Sequence, residues 1–159
     1  MPDYRIRPAK LDDVEVLVHH RIAMFSDMGT PMDAGAVARV FRNWVTRMLP
    51  AGIFRAWLVE TPDGGIVAGG GITIIPWPPG PSNSGDNLAF VYNVYTEPAH
   101  RRRGLARTVM EAIHAWCREA GVTTVALNSS ADGQPLYESL GYQVRTNPMM
   151  VASLTEVRG

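Results

Sequence analysis

Residues 97–108 read EPAHRRRGLART. Three arginines run into Gly104, where a helical pattern starts. Leu105, Val109, Met110, Ile113, Trp116, Cys117 and Ala120 fall on one side of it, and Gly121 is a suitable stop. The first turn of a helix leaves N–H groups unpaired and carries about half a positive charge, so acidic residues are favoured there. Arg101, Arg102, Arg103 and Arg107 stand against that field, each at roughly 0.3–1 kcal/mol beside an empty helix end. A bound polyphosphate reverses the sign, because amides and guanidinium forks then face anionic oxygens. The plain alternative is a solvated basic turn, or arginines answering nearby carboxylates. Position favours the ligand: the cluster follows a buried strand, and Gly104 leaves room for a ligand to meet the backbone.

That strand is LAFVYNVYT (Leu88–Thr96), a nearly continuous apolar run of the kind buried on both faces of a sheet. Working outward, the spacing predicts a first strand at Tyr4–Ala9. A helix follows from Asp12–Asp13, carried by Val14, Leu17, Val18, Ile22 and Phe25. Asp33 is placed to cap a second helix bearing Val37, Val40, Phe41, Trp44, Val45 and Met48. Ile53–Glu60 and Ile66–Ile75 read as strands joined through Pro62-Asp63-Gly64-Gly65. Gly69, Gly70 and Gly71 mark a bulge or a tight backbone approach. Pro76–Asn87 is a long loop. Val122–Asn128 reads as a strand, Gly133–Gly141 as a short helix, and Tyr142–Leu154 as a closing pair of strands. The expectation is one α/β domain over residues 1–159: a mixed, mostly antiparallel sheet of about seven strands with helices on both faces.

Composition narrows the classes. The 159 residues balance 15 basic against 15 acidic side chains, so bulk attraction to nucleic acid or an anionic membrane is not expected and the arginine cluster is a local feature. Cys117 is the only cysteine, which excludes an intrachain disulfide and a thiolate zinc cage; it falls on the apolar side of its helix. His19, His20, His100 and His114 lack ligand spacing, so no metal is expected. MPDYRIRPAK lacks the apolar core of a signal peptide and no apolar run approaches ~20 residues, giving a cytoplasmic expectation. Neither the Gly-Lys-Ser/Thr ending of a P-loop nor Gly-x-Gly-x-x-Gly is present.

What remains is Arg101-x-x-Gly104-x-Ala106 directly after a strand ending VYTEP. This resembles the Arg/Gln-x-x-Gly-x-Gly/Ala signature of the GNAT superfamily of acetyl-CoA-dependent N-acetyltransferases. LYESLGY (Leu136–Tyr142), about thirty residues on, resembles that family's later LYEKLGF-like segment, and the element order agrees from Tyr4 to Leu154. The resemblance implies a sheet splayed between its fourth and fifth strands, with the pantetheine arm of coenzyme A pairing along Val94, Tyr95 and Thr96. It implies a pyrophosphate cradle at Arg101, Arg102, Arg103, Gly104, Leu105, Ala106 and Arg107. Tyr137 matches the family's tyrosine that faces the thiolate, where a phenol of pKa about 10 stays protonated at neutral pH and can donate. Where many relatives carry Asn seven residues before that tyrosine, this chain has Ser130, the candidate for the same contact.

The implied reaction moves an acetyl group from acetyl-CoA to a primary amine. Backbone N–H groups near Val94–Thr96 polarise the carbonyl, and no metal takes part. The acidic residue that some relatives carry on the fourth strand is missing from Leu88–Asn93. Glu97, His19 and His20 are the nearby groups; both histidines are read as lying on a solvated face of the first helix, and no base is assigned. Met24, Met28 and Met32 are candidates to line an acceptor pocket or to fill the core, and the loop with Trp77 to rim it. Two other readings stand beside this one: a non-catalytic acyl-CoA sensor on the same fold, and acetylation of a protein or peptide amine. Homodimers are common in the family.

Overall fold

Short polar signals set the element boundaries. In the computed structural model, which describes residues 3–155, Asp33 Oδ1 accepts the Ala36 N–H at 3.0 Å and so starts a helix. Gly121, at φ +76°, ends another. The chain divides into two compact units, one up to Asn128 and the other from Ser129. The first holds β1 (Arg5–Pro8), α1 (Val14–Asp27), α2 (Ala34–Met48), β2 (Phe54–Glu60), β3 (Ile66–Pro76), β4 (Asn87–Thr96), α3 (Leu105–Glu119) and β5 (Val125–Ala126); the second holds α4 (Gln134–Ser139). Among the described residues no helix is long and apolar enough to cross a membrane.

The sheet runs β1-β2-β3-β4-β5, antiparallel throughout except for the parallel β4–β5 pair. Alternation along β2 sorts its side chains by face. Phe54, Ala56 and Leu58 join Leu17, Val18 and Val45 of α1 and α2 in a buried cluster. Arg55 and Trp57 lie on the other face, against Trp116 of α3. There α3 buries Leu105, Val109, Met110, Ile113 and Cys117 of the stripe read from its sequence, while Trp116 is half-buried and Ala120, at the helix end, is exposed.

The three glycines of β3 allow both faces to close. A Cβ at Gly70 would stand 2.8 Å from Val109 Cγ1, and one at Gly71 would stand 2.5 Å from Phe54 Cζ. The expectation of a tight approach is met, and so is that of a bulge. The β3–β4 register shifts between Gly69, opposite Tyr95, and Gly71, opposite Tyr92, so Asn93 and Val94 together face Gly70.

Two expectations need correction. The sheet has five strands among the described residues rather than about seven, because Tyr142–Leu154 forms no strand. Its apolar alternation has strand character, but a strand exists through its ladder, and none pairs with it. Val144 is 68 % exposed and Met150 89 %, and Pro148 has no N–H to give. β5 is likewise two residues long instead of spanning Val122–Asn128, and its brevity shapes the site.

Candidate functional site

β4 and β5 pair only at Ala89–Val125 and Phe90–Ala126. Beyond Phe90 the ladder stops, so among the described residues nothing pairs with Val91–Thr96 of β4 on the β5 side. Asn93 sits in the middle of that stretch at φ +63°, a left-handed conformation that Asn adopts more readily than most residues. The side chain is 2 % exposed, and its Nδ2 donates to the Leu17 carbonyl at 3.1 Å, tying the bulge to α1. Val94, Tyr95 and Thr96 follow it. Val94 packs toward Gly70 on the α3 side, while the Tyr95 ring lies 5.2 Å from that of His20 on α1.

The chain then turns through Glu97–Gly104 into α3. Arg102 and Gly104 both take positive φ, +62° and +76°. No acidic residue and no side-chain cap occupies the first turn of α3, so its N–H groups open onto the turn. Space beside Gly104 is empty: a Cβ there would meet nothing within 4 Å. The Leu105 side chain is buried, so only its backbone faces the turn.

The arginines divide the work. Arg101 Nε donates to the Thr96 carbonyl at 2.9 Å, its Nη2 bonds Asp27 Oδ2, and its guanidinium lies 5.6 Å from the Tyr95 ring centre. The cation therefore clamps the end of β4 to α1, and the Asp27 carboxylate holds its pKa above the usual range. Arg103 Nη1 donates to the Tyr4 hydroxyl at 3.0 Å. Arg102 is exposed and makes no hydrogen bond or ion pair among the described residues. The turn combines two braces with one unengaged cation at a bare helix start, which together suit a polyphosphate.

Near the same strand end, His19 Nε2 and Glu97 Oε1 are 2.6 Å apart, and the Tyr95 hydroxyl is 3.5 Å from Glu97 Oε2. His20 is 1 % exposed with neither ring nitrogen bonded, and burial pushes its pKa down to about 4. It is neutral at physiological pH and belongs to the core, which corrects the solvated helix face expected for both histidines; His19 alone is exposed.

In the second unit, Ser130 Oγ accepts the Gly133 N–H at 3.1 Å and so braces the start of α4. Tyr137 on that helix is half-buried, its ring edge-on to Tyr142 at 5.8 Å. Burial raises the phenol above its ordinary pKa, and its hydroxyl has no hydrogen-bond partner among the described residues. It is a protonated donor at neutral pH.

A cavity of about 560 Å³ lies between α1, α2 and the sheet, walled by Phe25, Phe41, Trp44, Phe54 and Tyr92 with Arg21 among them. Met24, Met28 and Met32 are not among its lining residues. Arg21 in the cavity wall and Asn93 at the bulge were not singled out by the sequence. For Asn93 the available signal was a lone amide in the middle of the apolar run LAFVYNVYT. Arg21 carries little local signal: Phe25 lies one turn on along α1, but Phe41, the other ring, comes from α2. Among the described residues no group of three His, Cys, Asp or Glu side chains is arranged to hold a metal.

Comparison with known proteins agrees with this geometry. The model of the acetyltransferase (GNAT) family matches residues 23–142. A crystal structure of a GCN5-related N-acetyltransferase from Ralstonia eutropha JMP134 is similar at 33 % identity and a TM-score of 0.85, covering 94 % of this chain and 98 % of that one. A predicted acetyltransferase with acetyl-CoA from Clostridium acetobutylicum superposes with a TM-score of 0.80 at 24 % identity, covering 94 % and 96 % of the two chains. Glucosamine-6-phosphate N-acetyltransferase from Arabidopsis thaliana shares the fold at a TM-score of 0.68 and 19 % identity, with 94 % and 97 % covered. No curated protein matches the sequence. With a family model over most of its length and a close structural relative, the chain belongs to the GNAT family of acetyltransferases, which use acetyl-CoA.

Proposed function

We propose that this protein transfers the acetyl group of acetyl-CoA directly to the primary amine of a small molecule. The observation that carries this reading is the edge of β4 from Val91 to Thr96, unpaired on the β5 side among the described residues and running into the bare, positively polarised start of α3. The edge offers backbone partners for the pantetheine amides. Arg102, Gly104 and the N–H groups of Leu105, Ala106 and Arg107 offer a pyrophosphate cradle, with Arg101 and Arg103 bracing the turn that presents them.

The amine nitrogen attacks the thioester carbonyl carbon while β4 N–H groups past the Asn93 bulge stabilise the oxygen's growing charge. The C–S bond breaks, the amine's surplus proton leaves to solvent, and the departing sulfur takes a proton from the Tyr137 phenol, which regains one from water. The role of Tyr137 rests on the family resemblance and on its protonated state. Ser130 is the candidate for a pantetheine contact, and residues 1–159 act as one catalytic domain.

Thiol release tests the reading. Purified protein with acetyl-CoA and a panel of primary amines is expected to liberate coenzyme A with at least one amine and to yield the N-acetyl product by mass. Tight acetyl-CoA binding without thiol release from any amine would replace the enzyme with a sensor.

A further inference from the structure

We infer that the cavity between α1, α2 and the sheet receives the acceptor, and that Arg21 selects one carrying a carboxylate beside an apolar, ring-bearing body. The acceptor's identity as an amine rests on the acetyl-transfer reading; the pocket's selectivity does not.

At about 560 Å³ the cavity falls within the size range of small-molecule sites. Its walls are aromatic and aliphatic, and Arg21 is the one charged side chain among the lining residues. The guanidinium lies 4.8 Å from the Phe25 ring centre and 5.2 Å from that of Phe41, a sandwich that holds it by cation–π attraction. Among the described residues no carboxylate or carbonyl answers it. Several other arginines are answered by carboxylates: Arg7 by Asp13 and Glu60, Arg42 by Glu15, and Arg101 by Asp27.

A half-buried guanidinium whose contacts among the described residues are aromatic rings gives up part of its hydration without an opposite charge in return. Burial lowers its pKa from the ordinary arginine value, yet the group stays charged at neutral pH. A ligand carboxylate removes the penalty by accepting two parallel bonds from the fork. Tyr92, on the same wall, accepts from Thr73 Oγ1 at 3.2 Å, which leaves its own proton to donate. Tyr92 also directly precedes the Asn93 bulge, so the wall that meets the carboxylate leads along β4 into the stretch where the carbonyl is polarised.

The rest of the lining specifies the ligand's body. Phe41 and Trp44 stack at 5.9 Å, and Trp44 meets Phe54 edge-on at 5.2 Å, leaving flat apolar surfaces with few polar atoms. A sugar or a polyamine would leave most of its polar groups unpaired there. The class that satisfies both features is the apolar amino acids, aromatic ones foremost.

Calorimetric binding of 3-phenylpropionate and 3-phenylpropanol tests the pocket without any transfer. Wild-type protein is expected to bind the acid at least about tenfold more tightly than the alcohol. Arg21→Gln should abolish that preference while leaving alcohol binding unchanged. Arg21→Lys keeps a charge but loses the fork and should retain part of it, which keeps the test open if the Gln variant fails to fold.

With acetyl-CoA, kcat/KM for L-phenylalanine should exceed that for phenethylamine by about ten- to hundredfold, an advantage lost through KM in Arg21→Gln. Equal binding of acid and alcohol by the wild type, an equal fall for both in Arg21→Gln, or binding of neither would overturn the inference. Arg21-dependent acid binding with no thiol release from any amine would leave it standing and remove the acetyl-transfer reading instead.

Discussion

Replacing Gly104 by alanine separates a ligand cradle from an ordinary turn, because the chain supplies its own control. Gly104 and Gly121 flank the two ends of α3, both at φ +76°, and at both an added Cβ would meet nothing within 4 Å. The backbone penalty for alanine in the left-handed region is about 1–2 kcal/mol in each case. For a chain of this length that lowers the melting temperature by roughly 2–8 °C. The two variants should therefore be destabilised alike. Their affinities for coenzyme A should differ. The methyl at Gly104 enters the space onto which the first-turn amides open, and a pyrophosphate seated there must move away from its donors. Loss of one charge-assisted hydrogen bond is enough for about a tenfold fall in affinity. The methyl at Gly121 faces nothing of the kind. Thermal melting and calorimetric titration of coenzyme A read the two effects separately. Equal coenzyme A affinity in both variants, at equal melting shifts, would refute the assignment of phosphate to this turn.

Tyr137→Phe should keep acetyl-CoA affinity and lower kcat by roughly a hundredfold or more, the range of general acid catalysis, and unchanged turnover would remove the phenol from the mechanism. His20 gives a stability profile with a defined sign. Burial depresses its folded pKa from 6.5 to about 4, so the unfolded chain binds more protons in that window. Stability from this group is complete above pH 6.5 and falls toward pH 4, by about 1.4 kcal/mol per unit at most. Urea midpoints across that range should show the slope in the wild type and a reduced one in His20→Leu. Gly71→Ala places a methyl 2.5 Å from Phe54 Cζ and 2.8 Å from the Arg55 carbonyl, and backbone cannot yield as a side-chain tip does. It should cost about 1–3 kcal/mol or more in chemical unfolding, far beyond an exposed Gly→Ala change such as that at Gly80.

The sequence was most informative where a residue's role is local. The Asp33 cap, the Gly121 stop, the stripe of α3 and the crowded glycines of β3 each announce themselves through their own chemistry, and all are found in place. Strand pairing is decided elsewhere in the chain, which is why Tyr142–Leu154 looks like a hairpin in alternation and yet makes no ladder. The same holds inside the site. RRRGLA marks the turn, but not that Arg101 is engaged by Thr96 and Asp27 while Arg102 is unengaged. That division depends on α1, some seventy residues earlier. Arg21 is the extreme case, an unremarkable helical arginine until α2 brings Phe41 over it.

Amide hydrogen exchange with and without coenzyme A measures the central claim most directly, since the proposed contacts are made by backbone N–H groups. Saturating coenzyme A should slow exchange at Val94–Thr96 and at Gly104–Arg107 while leaving β1 and β2 unchanged. Protection confined to other segments, or no uptake of coenzyme A at millimolar concentration, would contradict the account.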